Sequence, residues 1–270
     1  IGVSRVVSYG NRVDIGESDC LEFLADDRHT KAVAIYMESV DDGRRFVEAA
    51  SRCAKKKPVI ALKVGKRGAG ISAAKSHTGA MTGRYEIYRA AFRKAGIIEV
   101  DGYEGLKDAC RVLNIFNPGK GRKVFIITDG GGIGVRLADA CEEMGLDVAA
   151  LPEGLQKSLS AKFPAFYGIN NPLDLTGSAT DDEYVMALEA GLKDSYDIAI
   201  VTLLWGPPHL TEDLVYKLKA AIKKHDKPVI ICSPGGTFTR KMNRVFEDNG
   251  IPFFTTPESA ARAAAVLAKG

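Results

Sequence analysis

Val59-Ile60-Ala61-Leu62-Lys63-Val64 runs directly into Gly65-Lys66-Arg67-Gly68-Ala69-Gly70-Ile71-Ser72-Ala73-Ala74-Lys75-Ser76-His77-Thr78-Gly79-Ala80-Met81-Thr82-Gly83, and a helical pattern opens near Tyr85. The first six residues form an apolar run short enough to be a buried strand. The next stretch holds five glycines and one histidine, His77. Strand, glycine-rich connection and helix in that order make one step of an α/β fold. A connection this long inside a compact α/β domain is uncommon and usually functional.

The same alternation continues on both sides. Upstream, Val3 to Ser8 is a short apolar run and Tyr9-Gly10-Asn11 a turn. Ser18 or Asp19 is placed to cap a helix over Cys20 to Ala25, and Val33 to Tyr36 is a strand ending in Met37-Glu38. Asp41 is placed to cap a helix over Gly43 to Lys57, and Pro58 opens the strand that leads to His77. Downstream come a helix from Tyr85 to Ala95, a strand from Ile97 to Val100 and a helix from Tyr103 to Asn114. Asn117-Pro118-Gly119-Lys120-Gly121 is the best linker, dividing the chain into domains 1–117 and 118–270. The second domain offers strands at Lys123 to Thr128, Val148 to Leu151, Ile198 to Leu204, Val229 to Cys232 and Phe253 to Thr255. Its helices are expected at Val135 to Met144, Glu153 to Lys162, Asp182 to Lys193, Glu212 to Lys224, Arg240 to Asn249 and Glu258 to Ala268. The fold class is α/β, with two tandem flavodoxin-like parallel-sheet domains joined by right-handed crossovers, the first incomplete at its N-terminus.

A chain of 270 residues has room for two such domains. Apolar and charged fractions of 46% and 26% are ordinary for a globular protein. A net charge of +3 is too small to argue for nucleic acid. No apolar run reaches the ~18 residues of a membrane span, and no leader pattern opens the chain. The absence of an initiating methionine marks a fragment, a processed product or a trimmed piece. Cys20, Cys53, Cys110, Cys141 and Cys232 are scattered and lack metal-ligand spacing, so reduced thiols and a cytoplasmic location are expected, and no residue is assigned to a metal. Lys55-Lys56-Lys57 and His225 suit helix C-termini, while Trp205-Gly206-Pro207-Pro208 reads as a rigid cap or an interface anchor.

His77 is where chemistry is expected. Ser76 and Thr78 flank the ring with hydroxyls, and Lys66, Arg67 and Lys75 add positive charge. A neutral imidazole, abundant near pH 7, can attack phosphorus and carry the phosphoryl group covalently. A solvated surface histidine is the competing interpretation. Lys75-Ser76-His77-Thr78-Gly79-Ala80-Met81-Thr82-Gly83 resembles the phosphohistidine motif of the ADP-forming acyl-CoA synthetases, relatives of succinyl-CoA synthetase. The resemblance covers nearly the whole chain but only part of an α subunit. It implies that acyl-CoA, ADP and phosphate become acid, CoA and ATP through an acyl phosphate and a phosphorylated His77. It further implies that Glu38 orients and neutralises the ring, and that Ser76, Thr78 and Gly79 belong to the phosphate-binding set. Geometry independently allows the Glu38 role, because Glu38 and the His77 segment follow the carboxyl ends of strands, the edge where open α/β sheets bind ligands.

Thr128-Asp129-Gly130-Gly131-Gly132-Ile133-Gly134-Val135 joins a strand to a helix. Its glycines either let backbone N–H groups approach phosphate or permit tight strand-to-helix packing. The resemblance assigns Gly130, Gly131, Gly132 and Gly134 to a phosphate loop, although Asp129 and Ile133 stand where asparagine and proline are typical. Asn170-Asn171-Pro172-Leu173-Asp174-Leu175-Thr176-Gly177 is expected as an ordered turn whose Asp174 and Thr176 either shape it or line an acyl site. Ser233-Pro234-Gly235-Gly236 is another turn at the carboxyl edge. By resemblance, an N-terminal Rossmann-type CoA-binding domain, and a strand, a Ser-rich phosphate loop and a helix before Val3, are supplied elsewhere. An ATP-grasp β subunit or domain brings ADP/ATP with Mg²⁺, CoA and phosphate are substrates, and an oligomer is expected. Two alternatives remain at this stage: a non-catalytic acyl-CoA synthetase-like binding or regulatory module, which His77 disfavours, and a flavodoxin-like electron carrier, which lacks a hydroxyl-rich flavin-phosphate loop.

Overall fold

A computed structural model describes residues 2–10, 12–71 and 84–269. The chain divides into two compact units, Ile1–Asn114 and Ile115–Gly270.

In the first unit α1 (Glu17–Asp26), β1 (Val33–Met37), α2 (Gly43–Ala54), β2 (Val59–Lys63), α3 (Tyr85–Ala95), β3 (Ile98–Glu99) and α4 (Gly102–Leu113) follow in order. The strands form one parallel sheet in the order β1-β2-β3, with Met37 opposite Lys63 and Ala61 opposite Glu99. β2 is buried along its whole length, as its apolar run requires of a central strand. Phe46, Ala49, Ala50 and Cys53 of α2 pack with Tyr88 and Phe92 of α3 on one face of this sheet. Each fully buried phenylalanine contributes roughly 1.5–3 kcal/mol from area alone. Both N-terminal caps differ from expectation. α1 starts after Gly16, whose N–H donates to the Asp19 carboxylate at 3.0 Å. α2 is capped by Asp42, which accepts from the Arg44 and Arg45 N–H groups at 3.0 Å, whereas Asp41 accepts from the Arg12 guanidinium. Val3, Val6 and Val7 are exposed, and segment 2–10 pairs with no strand among the described residues.

The second unit holds β4 (Val124–Thr128), α5 (Gly131–Glu143), α6 (Glu153–Ser160), β5 (Leu173–Asp174), a 3₁₀ turn at Thr176–Ser178, α7 (Asp181–Lys193), β6 (Ile198–Thr202), α8 (Leu214–Ile222), β7 (Val229–Cys232), α9 (Thr237–Asp248), β8 (Phe253–Phe254) and α10 (Pro257–Ala268). Its parallel sheet runs β5-β4-β6-β7-β8. The α/β class with two parallel sheets is as expected. One strand is displaced. Residues 148–151 form no strand, and β5 lies instead in the segment read as a turn. The Asn171 side chain explains the exchange. Its amide accepts from Ile126 N–H at 2.9 Å and donates to Val124 O at 2.8 Å and Ala149 O at 2.9 Å. A side chain thus takes the bonds that a strand at 148–151 needed from β4, and Leu173 pairs with Ile127 just beyond it.

Close packing sets some sequence choices here. A Cβ at Gly191 in α7 would come within 2.1 Å of Phe125 Cδ1 and 2.3 Å of its Cε1 in β4. Gly191→Ala is therefore expected to destabilise this unit by about 1–3 kcal/mol, read as a fall in the urea or thermal midpoint.

Candidate active site

The carboxyl edge of the first sheet carries charge of both signs. Glu38 follows β1, Lys63 closes β2, Lys66 follows it, and Glu99 closes β3. Three contacts hold the turn that presents Glu38. The Arg12 guanidinium donates to Ser39 Oγ at 2.7 Å and pairs with Asp41 at 2.6 Å. The Val40 N–H donates to the Tyr88 hydroxyl at 3.2 Å. Glu38 is half-buried, and its Oε2 is buried with no hydrogen-bond partner among the described residues. A buried, unsatisfied carboxylate oxygen is costly, by about 1–3 kcal/mol or more, and marks a position that a donor stabilises. Glu38 also lines a groove of about 1000 Å³ that runs between segment 2–10 and β1.

Lys63 was not singled out in the sequence, although a charge inside an otherwise apolar strand was a usable signal. It is 1% exposed. Its ammonium donates to Val64 O and lies 4.6 Å from the centre of the Tyr88 ring. Burial, then the charge of Lys66, push it below the usual lysine range, while Glu38 and Glu99 act in the opposite sense. Lys66 is not a free cation beside the loop. It pairs with Asp101 at 2.6 Å and Glu99 at 2.9 Å, and these bonds overcome burial and raise it above the ordinary value. His77, Ser76, Thr78 and Gly79 lie outside the described residues.

In the second unit the glycine turn separates into different roles. Gly130 caps α5, and Gly131, Gly132 and Gly134 fall in its first turn, with no side chain capping it. A Cβ at Gly130 meets Leu204 Cδ1 at 2.5 Å, and one at Gly134 meets Thr128 Cγ2 at 2.8 Å. The buried, β-branched Thr128 leaves little room for a side chain at Gly134, whereas the flexible end of Leu204 can give way at Gly130. A Cβ at Gly131 meets Asp174 Oδ2 at 3.0 Å, whereas one at Gly132 meets nothing within 4 Å. The bare helix start at Gly131 and Gly132 offers N–H groups to an anion.

Asp129 does not leave its charge loose before that helix. Both carboxylate oxygens accept from Leu204 N–H, at 3.0 and 3.1 Å, tying the end of β4 to the end of β6. Burial pushes Asp129 up to about 6 despite the Leu204 bonds, from an ordinary 3.8. Between those values the folded chain holds a proton that the unfolded chain has released. This contribution is fully present below about pH 4 and is lost as pH rises to about 6, on the order of 2–3 kcal/mol. Asp129→Asn is expected to flatten that part of the stability profile, measured as thermal midpoints between pH 4 and 7.

The remaining turn residues are structural in their contacts. Asp174 Oδ1 accepts from Thr176 N–H at 2.9 Å and helps hold Thr176 in left-handed backbone, φ 57°. The Asn171–Pro172 peptide is cis. Ser233 is buried and donates to Leu203 O. The Trp205 ring packs on Phe238 and Phe246 with centroids 5.7 and 6.3 Å away. All five cysteines are free thiols. Among the described residues, no helix is long and apolar enough to cross a membrane, and no three His, Cys, Asp or Glu side chains group as metal ligands.

Two family patterns cover this arrangement: a succinyl-CoA ligase-like flavodoxin domain over residues 1–113 and a ligase-CoA domain over residues 124–269. The chain belongs to the succinyl-CoA synthetase-like family of CoA ligases. Among its relatives is the α subunit of acetate–CoA ligase [ADP-forming] I from Pyrococcus furiosus, 39% identical over all of this chain and 59% of that protein. Another is acetate–CoA ligase [ADP-forming] I from Archaeoglobus fulgidus, 38% identical over all of this chain and 38% of that protein. A dinucleotide-forming acetyl-coenzyme A synthetase 1 from Ca. Korarchaeum cryptofilum superposes in its apo form with a TM-score of 0.89 at 32% identity, over 99% of this chain and 59% of that one. The same enzyme in complex with phosphate and ADP gives 0.88. The chain thus spans 38–59% of the length of these relatives.

Proposed function

We propose that this chain is the phosphoryl-carrying part of an ADP-forming acyl-CoA synthetase. Phosphate attacks the thioester carbonyl of acyl-CoA, the C–S bond breaks, and CoA leaves as the thiol. A ring nitrogen of His77 attacks the phosphorus of the resulting acyl phosphate, and the acid leaves as its carboxylate. A terminal oxygen of ADP then attacks phosphohistidine, giving ATP and restoring the neutral ring. Such transfers need alignment and charge neutralisation more than elaborate chemistry.

Glu38 is the residue that suits the cationic ring of the carrier. An imidazole N–H donating to a carboxylate fixes the tautomer, leaving the other nitrogen to attack. The bare helix start at Gly131 and Gly132 suits an anionic phosphoryl group. The observation that carries the proposal is the Lys75–Gly83 motif within a chain 39% identical over its full length to an ADP-forming acetate–CoA ligase α subunit. CoA binding by a Rossmann domain, nucleotide binding by an ATP-grasp subunit or domain and assembly into an oligomer belong to the same proposal. So does a cytoplasmic setting. Mg²⁺ comes with the nucleotide on the partner and assists phosphate charge neutralisation there.

The test is to incubate the complete enzyme with γ-labelled ATP and Mg²⁺, then map the label. Acid-labile, base-stable phosphate on the peptide containing His77 supports the proposal. Full turnover with no label on this chain overturns it and favours a binding or regulatory module.

A further inference from the structure

Lys63 is a charge where the strand pattern calls for an apolar side chain. It closes β2 opposite Met37 of β1 and is 1% exposed. Glu38 follows Met37, so the two charges stand at one edge of the sheet on adjacent strands. The backbone fixes them relative to each other. Val64 N–H donates to Met37 O at 3.0 Å, and the Lys63 ammonium donates to Val64 O. Tyr88 of α3 reaches both. Its ring centre lies 4.6 Å from the Lys63 ammonium, and its hydroxyl accepts from Val40 N–H, two residues past Glu38, at 3.2 Å.

The neighbouring charges are matched elsewhere. Burial first, then Lys66, disfavours the Lys63 ammonium, and the carboxylates of Glu38 and Glu99 favour it. Glu99 pairs with Lys66 at 2.9 Å and accepts from the Tyr85 hydroxyl at 2.6 Å. Arg12 pairs with Asp41 at 2.6 Å and Glu17 at 3.5 Å. Glu38 Oε2 is buried without a hydrogen-bond partner among the described residues. With Lys66 and Arg12 matched to other carboxylates, Lys63 is the cation left to face Glu38. Burying an ammonium costs solvation energy that an apolar side chain of similar length avoids. What the ammonium adds is a positive charge that favours the ionised form of a nearby carboxylate, more strongly where water is excluded.

We propose that Lys63 is a positioning residue that acts through Glu38, its buried ammonium balancing and orienting that carboxylate at the edge of the first sheet. The proposal rests on the reading that Glu38 serves the phosphoryl carrier.

The test uses the complete enzyme carrying Lys63→Met, Lys63→Arg, Glu38→Gln and the Lys63→Met/Glu38→Gln pair. Lys63→Met keeps the length and drops the charge. It is expected to lower kcat about tenfold, with KM for acyl-CoA and ADP unchanged. Its thermal midpoint is expected to hold or rise, since no buried ammonium remains. Lys63→Arg keeps the charge and is expected to retain at least about a third of the wild-type rate. Once Glu38→Gln has removed the carboxylate, adding Lys63→Met is expected to cost less than about twofold more, because the charge has nothing left to act on. Wild-type kcat in Lys63→Met, a Lys63→Arg variant no faster than Lys63→Met, a thermal midpoint that falls along with kcat, or an undiminished loss in the pair each overturn the proposal. Glu38→Gln separates the two levels. If it turns over at the wild-type rate, the reading of Glu38 falls, and the role of Lys63 with it. If it is slow while Lys63→Met keeps the wild-type rate, only the role of Lys63 falls.

Discussion

His77→Ala in the complete enzyme is expected to lower acyl-CoA-dependent ATP formation by about 10⁴-fold or more. The size follows from the nature of the step. When a covalent carrier is removed, the reaction loses an intermediate and not merely a stabilising contact. ADP and the acyl phosphate then have no shared relay. Substrate binding elsewhere is untouched, so KM values, where measurable, change little. One partial reaction survives the loss. Acyl-CoA and phosphate still form acyl phosphate, which appears as CoA release without ATP. Measuring CoA thiol and ATP side by side checks both halves. Equal loss of the two products places the defect before the carrier, and unchanged ATP yield removes His77 from the chemistry.

The second large effect is expected at Glu38. Glu38→Gln keeps the shape and an acceptor oxygen but removes the charge that balances a cationic ring. A fall in kcat of roughly 10²–10³-fold is expected, within the range for a positioned acid–base partner. Glu38 Oε2 is buried and lacks a hydrogen-bond partner among the described residues, so the native fold already bears a desolvated carboxylate there. Replacing it with a neutral amide relieves that cost. Stability should therefore hold or rise slightly while activity falls. Opposite signs for stability and rate identify a residue kept for chemistry. A matched fall in both marks Glu38 as an ordinary structural side chain of the turn held by Arg12 and Tyr88.

Much of the fold was readable because the central strands announce themselves. β2, β4, β6 and β7 are short apolar runs, and the structure buries each of them end to end. The helices between them followed from their apolar periodicity. α5 begins at Gly131, earlier than expected, so glycines that read as a break lie within its first turn. β5 was hidden for another reason. Its place depends on the Asn171 side chain bonding to β4 and to Ala149, residues far apart in sequence. The site shows the same division. Glu38 could be placed from strand direction alone. The meeting of Lys66 and Tyr85 on Glu99 could not, since the sheet order brings β3 beside β2 and no spacing rule encodes it. Lys66 was expected to add positive charge near His77, and the structure balances that charge with Glu99 and Asp101.

The splice at Asn171 also bears on how this molecule behaves in a crowd. Because an amide does the work of a strand, β5 has only two residues, and β8 at the opposite border has two as well. A parallel sheet of five strands therefore ends on both sides in stubs. Long bare borders are what recruit stray chains into cross-linked aggregates. Here a wandering peptide finds almost no ladder to climb, and Pro172 before β5, Asp174 within it and Pro252 before β8 guard the same rims.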